Sequence, residues 1–183
     1  MIKRSKRISF VLFLFSWILS NIGCSYLAKN EQHQVYSKTQ YGRDKFVVVQ
    51  GYNTHYVETE AEKGEGQTIL LIPGAFSTYR SWNRMIPLLS KHYKLLAIDY
   101  IGAGDSDKPR SGFSYSVEEQ ADLIAEMIEK LQISKANIVG VSYGGIIALN
   151  LATRYPGLFG KIVCIEGSVI KPGFYHILAA KLI

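Results

Sequence analysis

Cysteine is almost missing: Cys24 and Cys164 are the only two in 183 residues. Two thiols cannot build a disulfide-stapled scaffold or a cysteine-rich zinc module. No apolar run is long enough to cross a bilayer as a helix, since the longest, Ile8–Leu19, has 12 residues and reaches 15 if stretched to Ile22. Fifteen helical residues rise about 22 Å against a hydrocarbon core of roughly 30 Å. No internal repeat is visible, which sets aside solenoids and propellers. Acids are absent from residues 1–23, while Lys3, Arg4, Lys6 and Arg7 all fall there. Those four account for most of the formal charge of +6, and only two excess positive charges remain for everything after residue 23. No general case for nucleic-acid binding survives that distribution. What is present is ordinary: 48% hydrophobic, 20% charged and 12% aromatic residues, enough for one domain with a core and unlike a disordered tail, a collagen or a multi-span membrane protein.

The basic cluster, the short apolar run and the small residues behind it make residues 1–23 a secretory signal peptide. Asn21-Ile22-Gly23-Cys24 resembles the lipobox of bacterial lipoproteins, in which the cysteine is lipidated and becomes the mature N-terminus. Gly23 and Cys24 fit that pattern and Asn21 departs from it. The expectation is an exported protein anchored to a membrane through Cys24, with plain secretion and an uncleaved anchor as the alternatives. Residues 24–45 are polar and without sustained periodicity, and read as a tether.

From Phe46 onward strand and helix signals alternate. Phe46–Val49 and His55–Thr59 read as two strands of a hairpin turned at Gly51-Tyr52-Asn53. Thr68–Ile72, Leu95–Ile98, Ala136–Val141 and Gly160–Glu166 are short apolar strands. Between them Tyr79–Ser90 places Trp82, Met85, Ile86 and Leu89 at helical spacing. A helix starts at Ser116, where Glu119 three residues on suggests a capping box, and directs Val117, Ala121, Ile124, Met127 or Ile128, and Leu131 inward. Tyr143–Arg154 reads as a helix that is apolar on nearly all sides. Apolar strands separated by helices imply a mostly parallel sheet covered on both faces: a three-layer α/β/α sandwich with an N-terminal antiparallel hairpin.

Gly140-Val141-Ser142-Tyr143-Gly144 is a G-x-S-x-G pattern set between a strand and a helix. A sharp strand-to-helix turn strains the serine backbone and projects the hydroxyl above the sheet. Crowding in that turn demands small residues two before and two after it. The helix N-terminus behind the serine favours the negative charge of a tetrahedral intermediate. Gly102-x-Gly104 lacks the third glycine and the following helix of a dinucleotide site, and that reading is rejected.

Four motifs in order resemble the α/β-hydrolase family across Phe46 to Lys171: Gly51–Glu58 as its second-strand signature, Ile72-Pro73-Gly74-Ala75-Phe76 as its oxyanion loop, Asp99–Pro109 as its D-x-x-G-x-G-x-S loop, and Asn137–Gly145 as its nucleophile elbow. The resemblance implies that Ser142 is the nucleophile, that the Tyr143 N–H is one oxyanion donor, and that Ala75 or Phe76, with Ala75 preferred, supplies the other. It implies a loop-organising role for Asp99. Pro73 stands where the family usually has a structural histidine. Phe76, Tyr143, Val169 and Ile170 would line a pocket for a small, partly apolar ester or related acyl substrate, cleaved through an acyl-enzyme without cofactor or metal. Ser142 argues against the dehalogenase and epoxide hydrolase branches, which use aspartate as nucleophile. A peroxidase-type or carbon–carbon-bond hydrolase stays open, because fold does not fix reaction.

A serine needs a histidine base and an acid to orient it. Glu166 ends a strand 24 residues past Ser142, and the resemblance to the haloalkane dehalogenase branch, which keeps its acid at the end of that strand, implies it as the candidate acid, the alternative being an acid after a further strand. No histidine falls where the family keeps its base: His33 lies in the tether, His55 in the hairpin, His92 after a helix, and His176 in Phe174–Ile183, where a cap region would begin at about residue 173. Only 41 residues follow Ser142. The expectation is a truncated α/β-hydrolase, residues 46–172 forming a core without its last two strands, with little or no turnover as this chain. A non-catalytic binding protein on the same fold, and a fragment without function, are the alternatives. Cys164, in an apolar strand, reads as a small core residue. Oligomeric state is not legible.

Overall fold

The computed structural model describes residues 41–63 and 66–167. Cys24, His33, Val169, Ile170 and His176 lie outside the described residues, as do the leader, most of the tether and the start of the expected cap.

Six strands form one sheet in the order β1-β2-β4-β3-β5-β6. β1 (Arg43–Val49) and β2 (Tyr52–Thr59) are an antiparallel hairpin, with Val49 opposite Tyr52. The turn is Gln50-Gly51, both with positive φ (50° and 85°), as a two-residue type I′ turn requires. Tyr52 and Asn53, expected in the turn, therefore already belong to β2. That strand runs antiparallel to β4 (Lys94–Ile98). β3 (Thr68–Ile72) lies parallel between β4 and β5 (Ala136–Val141), and β6 (Phe159–Ile165) runs parallel to β5. Glu58 ties three strands by reaching Lys45 on β1 and, at 2.8 Å, Lys94 on β4.

Strand alternation divides the core between two faces. Leu70, Ile72, Leu96, Ile98 and Ile138 face α2 (Val117–Lys130) and α3 (Tyr143–Arg154). Ile69, Leu71, Leu95 and Ala97 face the other way, toward Tyr79, Trp82 and Ile86. Both sides of β3 and β4 are thus dry, which explains why these strands read as unbroken apolar runs. Full burial of each Leu or Ile contributes about 1.5–3 kcal/mol.

Two sequence expectations need correction. Tyr79–Ser90 is not one helix: a 3-10 turn spans Tyr79–Trp82, and α1 is only Ile86–Leu89. Pro87 sits in the first turn of α1 and has no N–H with which to continue a helix from upstream. The Thr78 hydroxyl caps the 3-10 turn, and the Asp99 carboxylate takes the Tyr79 N–H at 2.7 Å. Trp82 and Ile86 are nevertheless buried as the spacing requires, while Met85 is exposed. Cys164 is likewise exposed, not a core residue, because β6 is the outermost strand of the described sheet. Its sulfur faces α3, where a Cβ on Gly145 would lie 2.7 Å away.

The Ser116 cap is present, its hydroxyl accepting the Glu119 N–H at 3.1 Å. The reciprocal half differs: the Glu119 carboxylate takes the Ser114 hydroxyl at 2.6 Å and the Ser114 N–H, not the Ser116 N–H.

Candidate active site

Ser142 joins β5 to α3 with φ 51° and ψ −115°, outside every comfortable region for a residue with a Cβ. Such a conformation costs of order 1–3 kcal/mol and persists only where the surroundings over-determine it. They do so here. The Ser142 N–H donates to the Ile165 carbonyl of β6 at 2.8 Å, and its own carbonyl accepts the Ile146 N–H at 3.1 Å. A Cβ on Gly140 would stand 2.3 Å from the Gly144 oxygen, and one on Gly144 would stand 2.3 Å from the Ile72 oxygen. Both glycines of the pattern are required by close approach of backbones. Ser142 occupies the N-cap position of α3, yet its side chain does not cap the helix. It is exposed, free to act on something outside the fold.

The loop after β3 passes beside this serine: a Cβ on Gly74 would lie 3.6 Å from Ser142 Cβ. Ala75 and Phe76 are exposed there, Phe76 fully so and with φ 57°. Tyr143, at the first position of α3, has an N–H that no residue of its own helix can accept. Its ring packs edge-on against Tyr100 at 5.4 Å, and its hydroxyl reaches the Tyr115 carbonyl at 3.4 Å. Burial raises the pKa of both Tyr100 and Tyr143, keeping the phenols protonated.

Glu166 follows Ile165, the residue paired with Val141 and bonded to the Ser142 amide, so the Glu166 backbone starts next to the serine. It is exposed and also has positive φ, 52°. The structure therefore brings together Ser142, Tyr143, the Gly74–Phe76 loop and Glu166 at the carboxyl edge of the parallel strands, where open α/β sheets hold their ligands.

Neither described histidine joins them. His92 lies at the opposite edge, before β4, and its carbonyl crowds Gly66 ahead of β3. His55 is 1% exposed, and its Nδ1 meets Asp99 at 2.9 Å while its Nε2 meets Asp44 at 3.1 Å. Phe46 and Tyr79 cover its ring. Burial pushes His55 toward the neutral form, but the bonds and charges of Asp99 and Asp44 outweigh it and raise its pKa. Burial likewise works against the Asp99 carboxylate, and His55 with the N–H groups of Tyr79 and Asp105 overcomes it and lowers the pKa. A Cβ on Gly104 would stand 1.9 Å from Asp99 Oδ2. Asp99 is thus spent on organising loops. His55, Asp99 and Asp105 offer ligand atoms within 4.8 Å of one another, but the buried pair is already consumed by its own hydrogen bonds.

Sequence reasoning passed over Tyr100. Its place directly after Asp99, at the carboxyl end of β4, was the available signal.

The model of the alpha/beta hydrolase fold matches residues 67–182. The chain belongs to the alpha/beta hydrolase fold family. The relatives it matches include proteins named as hydrolases. The uncharacterized hydrolase YugF of Bacillus subtilis is 37% identical over 120 residues, covering 66% of this chain and 43% of that one. Among solved structures, a meta-cleavage product hydrolase, CumD, superposes with TM-score 0.60 at 34% identity over 68% of this chain and 45% of its own. A membrane phospholipase A superposes with TM-score 0.68 at 25% identity, covering 99% of this chain and 58% of that one. The chain spans less than half the length of the curated hydrolases it matches.

Proposed function

We propose that this alpha/beta hydrolase is a membrane-tethered serine hydrolase whose Ser142 opens a small carboxylic ester or related acyl bond. The observation that carries the reading is the exposed, uncapped Ser142 held at φ 51° between β5 and α3. Its Oγ attacks the acyl carbon as the hydroxyl proton passes to a base. The oxyanion that forms meets the N–H groups of Ala75 and Tyr143, and the alcohol leaves with a proton. Water then attacks the acyl-enzyme, releasing the acid and restoring Ser142. Fixed backbone amides suit this task because they need no reorganisation as charge develops. Glu166 is the acid that would orient the base, and Phe76 with Val169 and Ile170 would flank the acyl group.

The base is the open position. Among the described residues no histidine stands near Ser142, so we expect this chain by itself to turn over esters slowly or not at all. That same observation favours a second reading, a non-catalytic binding protein built on the fold. A fluorophosphonate probe separates the two: labelling of the full chain that disappears in Ser142→Ala supports an activated nucleophile, and an unlabelled wild type supports the binding protein. Hydrolysis of a short-chain nitrophenyl ester at the rate of a relative with a complete triad would refute that expectation.

The tether rests on the basic cluster, the apolar run and the Gly23-Cys24 pair. The likeness to a membrane phospholipase A, which extends over nearly the whole chain, supports it. Metabolic labelling with an alkynyl fatty acid should mark the exported protein and fail in Cys24→Ala. Equal labelling of both would end the lipid-anchor reading.

A further inference from the structure

Residues 73–79 carry the chain from β3, past Ser142, to the 3-10 turn, and two consecutive residues at the end of β4 hold this loop. Asp99 holds its far end through the Tyr79 N–H at 2.7 Å. Tyr100 holds its near end. The buried Tyr100 hydroxyl donates to the Gly74 carbonyl at 3.0 Å, the carbonyl just before Ala75.

The Gly74 carbonyl and the Ala75 N–H belong to the same planar peptide and point in opposite directions. Anchoring that carbonyl on Tyr100 turns the Ala75 N–H away from the core, toward the exposed side of the loop where Ser142 stands. A bond accepted by a carbonyl also polarises its amide and strengthens the N–H as a donor. The Ser77 N–H donates to the same carbonyl at 3.2 Å. With the Ser77 amide spent on Gly74, the amide that the anchored peptide presents to a substrate is that of Ala75.

We propose that Tyr100 is a positioning residue for the oxyanion site, its hydroxyl aiming and polarising the Ala75 N–H through the shared Gly74–Ala75 peptide. This rests on the serine hydrolase reading above. Tyr100 acts only through the peptide and touches no reacting atom, so its loss should slow bond formation without weakening encounter with the substrate.

The test is Tyr100→Phe in the full chain, which keeps the ring against Tyr143 and removes the hydroxyl. Ser142 phosphonylation is followed across fluorophosphonate concentrations, together with hydrogen exchange at Ser77, whose N–H shares the Gly74 carbonyl with Tyr100. The limiting labelling rate should fall about tenfold or more, toward the loss seen when an oxyanion donor is deleted. The half-saturating probe concentration should stay within about twofold, and the Ser77 amide should exchange faster. An unchanged limiting rate overturns the proposal while leaving Ser142 as nucleophile. An unlabelled wild type instead overturns the serine hydrolase reading, and the role of Tyr100 with it. Should the variant fail to fold, exchange in the wild type decides: a protected Ser77 amide supports a loop fixed at the Gly74 carbonyl, and exchange at the free-peptide rate overturns it.

Discussion

Close contact between backbones, with no side chain to absorb an intrusion, makes the serine turn intolerant of a single methyl group. A Cβ on Gly144 would meet the Ile72 oxygen at 2.3 Å and the Pro73 oxygen at 2.5 Å. Neither atom can move without shifting the end of β3. Gly144→Ala should therefore cost about 3 kcal/mol, read as a lower urea midpoint. Gly157→Ala, where no atom lies within 4 Å, should stay within about 0.5 kcal/mol. Equal midpoints for the two variants would mean that the elbow does not press on β3. Gly140 is crowded by Gly144, four residues on, and Gly144 by the end of β3, so the spacing around Ser142 was legible as a pattern while the part of its cause that lies on β3 was not. The exposure of Cys164 was not, since a strand residue is buried or bare according to which strands lie beside it.

Among the elements, α2 shows how local signals set a boundary. The Ser116 hydroxyl accepts the Glu119 N–H, and Glu118 and Glu119 lie in the first turn, where the helix dipole favours acids. Ser116→Ala should lower stability by about 1 kcal/mol in thermal or urea unfolding. Ser116→Asn should restore most of it, and an Ala variant as stable as wild type would remove the cap from the account. The capping-box pattern placed this start correctly but not the partner of Glu119, which bends back two residues further to Ser114. Tyr79–Ser90 was misjudged for a related reason. Apolar spacing records which residues face the core, and Trp82 and Ile86 do so, but a 3-10 turn followed by a short helix serves the same face.

For the molecule as a whole, the buried His55–Asp99 pair links the hairpin to the loops around the serine and should make stability depend on pH. Burial opposes both charges, yet the pairing lowers Asp99 below its ordinary 3.8 and raises His55 above its ordinary 6.5. The Asp99 contribution is complete above 3.8 and is lost as pH falls through the lower folded value. The His55 contribution is complete below 6.5 and is lost as pH climbs through the higher folded value. Stability from the pair is thus greatest between the two and declines on the alkaline side. The melting temperature should be higher near about pH 5.5 than near about pH 8.5, and His55→Gln should narrow that difference. A variant with the same alkaline decline as wild type would assign it to other groups.

The sequence by itself determined the layered α/β architecture and the strand–serine–helix order, and the family resemblance implied the loop-organising part of Asp99. The first two rest on strand and helix periodicity and on the glycine spacing around Ser142, which the sequence records directly. Only the tertiary structure decided that Tyr100 holds the loop beside Ser142, that Glu166 starts next to the serine, and that His55 is sealed away from it. Those relations join segments some 25 to 50 residues apart in the chain, as in the bonds from Tyr100 to Gly74 and from His55 to Asp99. Such distances are closed by sheet order, β4 lying between β2 and β3, and no local pattern encodes that order.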